Sequence, residues 1–239
     1  MPMNIRRWVS GLRRTPLHPQ WLLGSAEKAG KWVGENAQGR VLDVGCADRW
    51  VEKWLAPECV YFALDYPATG KQLYGARPHV FADASQLPLP DASMDTVILL
   101  EVMEHLRRPQ DALGEIARVL RPQGRVLLSM PFLYPLHDAP HDYQRLTIHG
   151  LLRDVEATGL RVEHITPSLG SAETAGLIAC LAMGGIAVEA IEKRSVSVVF
   201  VPLLAMAIPV INLVAWCAGR ALPSWSAITA GYRVCARRE

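Results

Sequence analysis

The apolar positions follow one rhythm through the middle of the chain and another towards its end. From Arg40 onward, short apolar runs alternate with helix-like segments, the pattern of a parallel sheet with crossover helices and so of a doubly wound α/β fold. The predicted strands are 41–44, 60–64, 80–81, 96–100 and 125–130. Between the last two, Pro109 suits a first helical turn, Leu113, Ile116, Ala117 and Leu120 form a stripe, and Pro122 with Gly124 ends the helix. A second helix starts at Thr147 as N-cap, carries Ile148, Leu151, Leu152 and Val155 on one face, and stops at Gly159.

The two flanks read differently. Ile5, Trp8, Val9 and Leu12 recur at helical spacing among Arg6, Arg7, Arg13 and Arg14, a basic amphipathic helix that fits an anionic lipid surface and the protein core equally well. Residues 174–191 are mostly small and apolar, residues 195–219 contain no charge, and Glu192, Lys193 and Arg194 separate the two stretches. As a helix the second stretch would reach roughly 37 Å, against a hydrocarbon core of about 30 Å, although Pro202, Pro209 and Asn212 count against a simple span. Residues 225–237 read as a strand returning to the sheet, so a helical pair suits the region better than a single crossing. The expected organisation is an N-terminal helical region (1–39), a core (40–173), an apolar helical insertion (174–219) and a final strand (220–239). The insertion is read either as a membrane contact or as a buried helical cap or dimer interface.

Composition sharpens this picture. Half of the 239 residues are hydrophobic, 20% are charged, and the mean hydropathy of +0.13 is high for a soluble enzyme, so some apolar surface needs a non-aqueous home. A net charge of +2 gives no basic footprint for nucleic acid. The five cysteines, with no C-x-x-C pair, fit reduced thiols. Residues 1–14 lack the apolar run of a secretory signal. The expected location is the cytoplasm, with peripheral or monotopic attachment to its membrane. The sequence carries no signal of oligomeric state.

The chemistry begins at VLDVGCADRW, which places Gly45 directly after a buried strand, where a residue without Cβ lets backbone approach a ligand at the sheet's carboxyl edge. ALDY ends the second strand with Asp65, a carboxylate placed to accept hydrogen bonds from a ribose diol. FADASQLPLPDASMDTVILLEVMEHL and LRPQGRVLLSMPF continue the series in order.

Over residues 40–166 the chain resembles the class I S-adenosylmethionine-dependent methyltransferases, particularly the methyltransferase type 11-like subgroup acting on small-molecule, glycan or lipid-linked acceptors. The resemblance implies a Rossmann-like, mostly parallel sheet, with the apolar helices inserted before its last strand. It implies S-adenosylmethionine as cofactor, with the methionine part cradled at Asp43, Gly45 and Ala47, the ribose at Asp65 and the adenine at Asp83 and Ala84. Glu101 and the Glu104–His105 pair would border the methionine and the acceptor. The usual G-x-G-x-G is broken, because Ala47 and Arg49 replace its second and third glycines. Ala47 fits a negative φ, and Arg49 has to point away from the cofactor or reshape the turn. The missing glycines count harder against a dinucleotide site, whose pyrophosphate needs close backbone approach.

After the fifth strand comes PFLYPLHDAPHDYQRLT, dense in His137, Asp138, His141, Asp142, Tyr143 and Arg145. Its place at the carboxyl edge, and a similar stretch in the resembling subgroup, mark it as acceptor-side machinery. His141 or His137 would take the proton of a hydroxyl acceptor, with Asp142 or Asp138 orienting the imidazole, while His105, Tyr143 and Arg145 position the acceptor. In the plainer alternative the loop's acids and histidines cap the next helix and pair with Arg145. The two His and two Asp match no metal-ligand spacing and methyl transfer does not require an ion, so no metal is expected. The rival functions are a non-catalytic scaffold on the same fold and a nicotinamide-dependent oxidoreductase.

Overall fold

The computed structural model describes residues 10–24, 26–71 and 75–239. Most of the proposed basic amphipathic helix, including Ile5, Arg6, Arg7, Trp8 and Val9, lies outside the described residues. The chain divides into two compact units.

The first unit, Glu27–Phe132, Leu136–Thr166 and Gly231–Glu239, holds a seven-stranded sheet among the described residues. Its strands are β1 (Arg40–Val44), β2 (Val60–Asp65), β3 (Val80–Phe81), β4 (Met94–Leu100), β5 (Leu120–Pro131), β6 (Leu160–Pro167) and β7 (Gly231–Arg238). They run in the order β3-β2-β1-β4-β5-β7-β6. The pairs β1–β2, β1–β4, β2–β3 and β4–β5 are parallel, and β7 lies antiparallel to β5. The chain direction reverses its spread across the sheet between β1 and β4, and that switch point is where an open α/β sheet offers a crevice at its carboxyl edge.

Among the described residues, the longer helices that belong with this sheet are α1 (Ala26–Asn36), α2 (Pro109–Val119) and α3 (Ile148–Glu156). Helix α2 starts with Pro109 in its first turn and buries Ala112, Leu113, Ile116 and Val119 completely, against the core that also holds Val97, Leu99, Val126 and Leu128. It stops one residue before the sequence stripe suggests. Leu120 already pairs with Met94, so β5 starts well ahead of the predicted residue 125. Thr147 caps α3 as expected, its hydroxyl accepting the Gly150 amide at 3.2 Å, and Gly159 follows with φ +81°. β6 goes unpredicted because alternate positions of LRVEHITP are charged or polar and only a few apolar residues mark its inner face.

The second unit, which takes in residues up to Ala26, Leu133–Pro135 and Pro167–Ala230, is mostly a helical pair, α4 (Ser171–Glu192) and α5 (Val201–Ala221). Both are long and apolar enough to cross a membrane by length and composition. Gly176 lets the helices close, since a Cβ there would strike Ala215. Asn212 is no defect in α5. It is fully buried, its amide nitrogen donates to the carbonyls of Pro16 (2.7 Å) and His18 (3.0 Å), and its amide oxygen accepts from Cys180 Sγ. The other side of α5 exposes Leu203, Met206, Val210 and Val214 at helical spacing. The final strand begins at Gly231 rather than at 225, because Ser224 and Trp225 are taken up by hydrogen bonds to Ser171 at the start of α4. After the helical pair the chain returns to the sheet, where β7 pairs with β5.

Candidate active site

The sheet unit carries a cavity of about 490 Å³ at the carboxyl edge of β1, β2 and β4, within the range of about 300–1,000 Å³ usual for small-molecule sites. Gly45 opens one wall. It has φ +77°, its amide donates to the Leu64 carbonyl at 2.9 Å, and a Cβ there would collide with Val102. Both the backbone conformation and the packing therefore require glycine.

Two residues on, the turn departs from expectation. Ala47 has φ +46° rather than a negative φ, and Arg49 has φ +64°. The turn keeps its glycine shape without the glycines. Arg49 does point away: its guanidinium pairs with Glu52 at 2.7 Å and lies 5.4 Å from the Tyr61 ring centre, outside the cavity lining. A left-handed alanine costs about 1–2 kcal/mol, and glycine gives back about 0.4–1 kcal/mol through unfolded-chain entropy. Ala47→Gly is expected to raise stability by about 0.5–1 kcal/mol in urea denaturation. A loss of stability would mean that the Ala47 methyl packs more favourably than its backbone is strained.

Asp65 holds this turn. One carboxylate oxygen accepts the Ala47 amide at 2.8 Å and the other the Tyr66 amide at 2.8 Å. Burial raises its pKa, and the two amide hydrogen bonds oppose that rise. The oxygen that accepts the Ala47 amide also receives the Cys46 thiol at 3.9 Å, and the other retains a second lone pair for a ligand hydroxyl. Asp83 and Ala84 line the same cavity, with Asp83 braced by the amide and hydroxyl of Ser85, each at 2.8 Å. Glu101 ends β4 with φ +54° and accepts the Ser129 hydroxyl at 2.6 Å. Asp43 departs from the predicted set. It is buried behind the turn, accepts the Tyr61 hydroxyl at 2.6 Å, and does not line the cavity. Burial pushes its pKa up to about 7 although that hydrogen bond works the other way.

The far end of the cavity is lined by His105, Asp138, His141 and Tyr143. The 137–145 loop is tied to the turn Met103–His105, since the Tyr143 amide donates to the Glu104 carbonyl at 2.9 Å and Gln144 Nε2 to the Met103 carbonyl at 2.8 Å. Tyr143 receives Arg107 Nε on its hydroxyl at 3.2 Å, and that hydroxyl stands 3.4 Å from His141 Nδ1. The expected roles of Asp142 and Arg145 change here. Asp142 is turned to Arg145, which grips it with both terminal nitrogens, and to His137, so it does not orient His141. Neither Asp142, Arg145 nor His137 lines the cavity. The plainer reading of the loop, acids pairing with Arg145, thus holds for Asp142.

One residue carries more than the sequence suggests. Glu104 is fully buried, with no hydrogen-bond partner on either carboxylate oxygen. Burial, and then the nearby Glu101, raise its pKa well above the usual carboxylate range.

Sheet order, glycine turn and strand-end acids define a class I methyltransferase fold, and the comparisons agree. The family profile described as "Methyltransferase domain" matches residues 42–128. A "Probable S-adenosylmethionine-dependent methyltransferase" of Mycolicibacterium smegmatis is 33% identical over 169 residues, 66% of this chain and 65% of that protein. The 27-O-demethylrifamycin SV methyltransferase of Amycolatopsis mediterranei is 32% identical over 111 residues, 41% of each chain. The chain thus spans less than two thirds of the length of these curated relatives. A solved S-adenosylmethionine-dependent methyltransferase from Archaeoglobus fulgidus shares the fold with a TM-score of 0.56 at 18% identity, covering 99% of this chain and all of that one. Residues 42–128 thus match a methyltransferase domain, and the relative of Mycolicibacterium smegmatis carries S-adenosylmethionine as the cofactor in its name.

Proposed function

We propose that the protein transfers a methyl group from S-adenosylmethionine to an oxygen of a small-molecule, glycan or lipid-linked acceptor. The observation that carries this reading is a single cavity with Gly45 and Asp65 at one end and His141 and Tyr143 at the other. The residues fit the cofactor: Gly45 and Ala47 would receive its methionine part, Asp65 its ribose and Asp83 with Ala84 its adenine. When bound, S-adenosylmethionine supplies an electrophilic methyl, whose carbon–sulfur bond breaks towards sulfur as the new carbon–oxygen bond forms. His141 takes the acceptor's proton, Tyr143 holds the hydroxyl in line, and His105 borders the acceptor. An oxygen acceptor is supported by the name of the rifamycin relative.

The helical pair supports a lipid-linked acceptor and attachment at the cytoplasmic face of a membrane, because the stripe Leu203, Met206, Val210 and Val214 is exposed. Incubation with S-adenosylmethionine carrying an isotopically labelled methyl, against lipid and polar metabolite extracts, is expected to label an acceptor that partitions with lipids. Cofactor binding without label in any fraction would instead favour the scaffold. Cell fractionation is expected to leave the protein with membranes, and full recovery in the soluble fraction without detergent would refute attachment.

A further inference from the structure

Glu104, His105 and His137 come from two separate segments, yet one ligand atom from each lies within 4.8 Å of the other two. His105 Nε2 is 3.7 Å and His137 Nε2 3.8 Å from the same Glu104 oxygen, and the two rings stand edge to face with centres 5.0 Å apart. We propose that these three residues form a binding site for a divalent transition-metal ion. The two-histidine, one-carboxylate set suits ions such as zinc, cobalt, iron or manganese.

Two further observations point the same way. The first is the state of Glu104, whose fully buried carboxyl has no hydrogen bond on either oxygen. A buried carboxyl left without a partner is costly, and a cation between it and the imidazoles removes that cost. The second is the outer side of each ring. His105 Nδ1 lies 2.8 Å from the His141 carbonyl, which can only accept, so Nδ1 carries the proton and Nε2 the lone pair. His137 Nδ1 is 3.2 Å from Asp142 Oδ2, nearer than its 3.4 Å to Arg145 Nη2, and the carboxylate favours the same tautomer. Asp142 is itself fixed by Arg145. An acceptor on Nδ1 with Nε2 turned inward is the arrangement that orients metal-ligating histidines.

The site departs from the expectation of no metal, which considered only the histidines and aspartates of the loop. His105 also lines the cavity, so the ion would lie at its acceptor end. Resting on the methyl-transfer reading, its role there is to polarise the acceptor hydroxyl whose proton His141 removes.

The test is cobalt(II) titration of the chelator-treated full-length protein, followed by visible absorption and native mass spectrometry. One ion per chain is expected, displaced by zinc(II). Glu104→Gln and His137→Ala are expected to abolish that stoichiometric binding, and Asp142→Asn to weaken it by about 10- to 100-fold. S-adenosylhomocysteine calorimetry on the same samples shows that each variant is folded and tests the cofactor reading separately. Binding unchanged in Glu104→Gln and His137→Ala, or no ion bound by wild type that binds S-adenosylhomocysteine, would overturn the site and leave Glu104 a buried neutral acid.

Discussion

Asp65→Ala is expected to weaken S-adenosylhomocysteine binding by about 2–4 kcal/mol, roughly 30- to 900-fold, while the protein stays folded. The carboxylate has two tasks on the same two oxygens. Towards the protein it accepts the amides of Ala47 and Tyr66, which shapes the turn after β1. Towards the cavity its remaining acceptor capacity would meet the proposed ribose diol. Removing it therefore loses ligand hydrogen bonds and loosens the wall that Ala47 forms. Asp65→Asn separates the tasks, because it keeps the volume and one acceptor and should lose less affinity than alanine. Calorimetry decides the matter, and unchanged affinity in a folded Asp65→Ala protein would remove Asp65 from the cofactor site.

His141→Ala is expected to lower turnover by about 10²- to 10⁴-fold with cofactor affinity close to wild type, the signature of a lost proton acceptor. The position supports this, since His141 lines the cavity beside Tyr143 at the end away from Gly45. His141 also contributes its backbone carbonyl to His105 Nδ1, a contact alanine keeps. The substitution thus removes the imidazole without dismantling its neighbours. Single-turnover measurement of methyl transfer is the appropriate readout, and turnover near wild type would leave the proton to another group.

The parts of the site within one strand-turn unit were legible in the sequence. Gly45 and Asp65 declare themselves because a buried strand ending in glycine or in an acid has few other reasons to look that way. What tertiary contact decides was hidden. Glu104 and His137 read as members of separate motifs, and only the packing of the 137–145 loop on the turn Met103–His105 brings them together. Asp142 next to His141 suggested a pair, yet adjacent residues in an extended loop point to different sides, and Asp142 met Arg145 and His137 instead. Ala47 misled for a different reason: the φ of a turn is set by the hydrogen bonds that close it, here donated by its amides to the Leu64 carbonyl and the Asp65 carboxylate, and a methyl group adds a modest strain rather than vetoing the shape. In the same way Asn212 looked like a flaw in an apolar helix until its partners at Pro16 and His18 were visible.

The place of β7 sets the timing of synthesis. It sits between β5 and β6, and its register runs from Arg125↔Arg237 to Pro131↔Gly231, so the β6 end of the sheet waits for residues that leave the ribosome after both long helices. Until then β5 has an open edge and β6 has no neighbour in the sheet, and the loop to be closed is long, which makes this pairing slow. The apolar pair is thus already made while the sheet is unfinished, and translation speed through the stretch after α5 governs how long the nascent chain is exposed to aggregation.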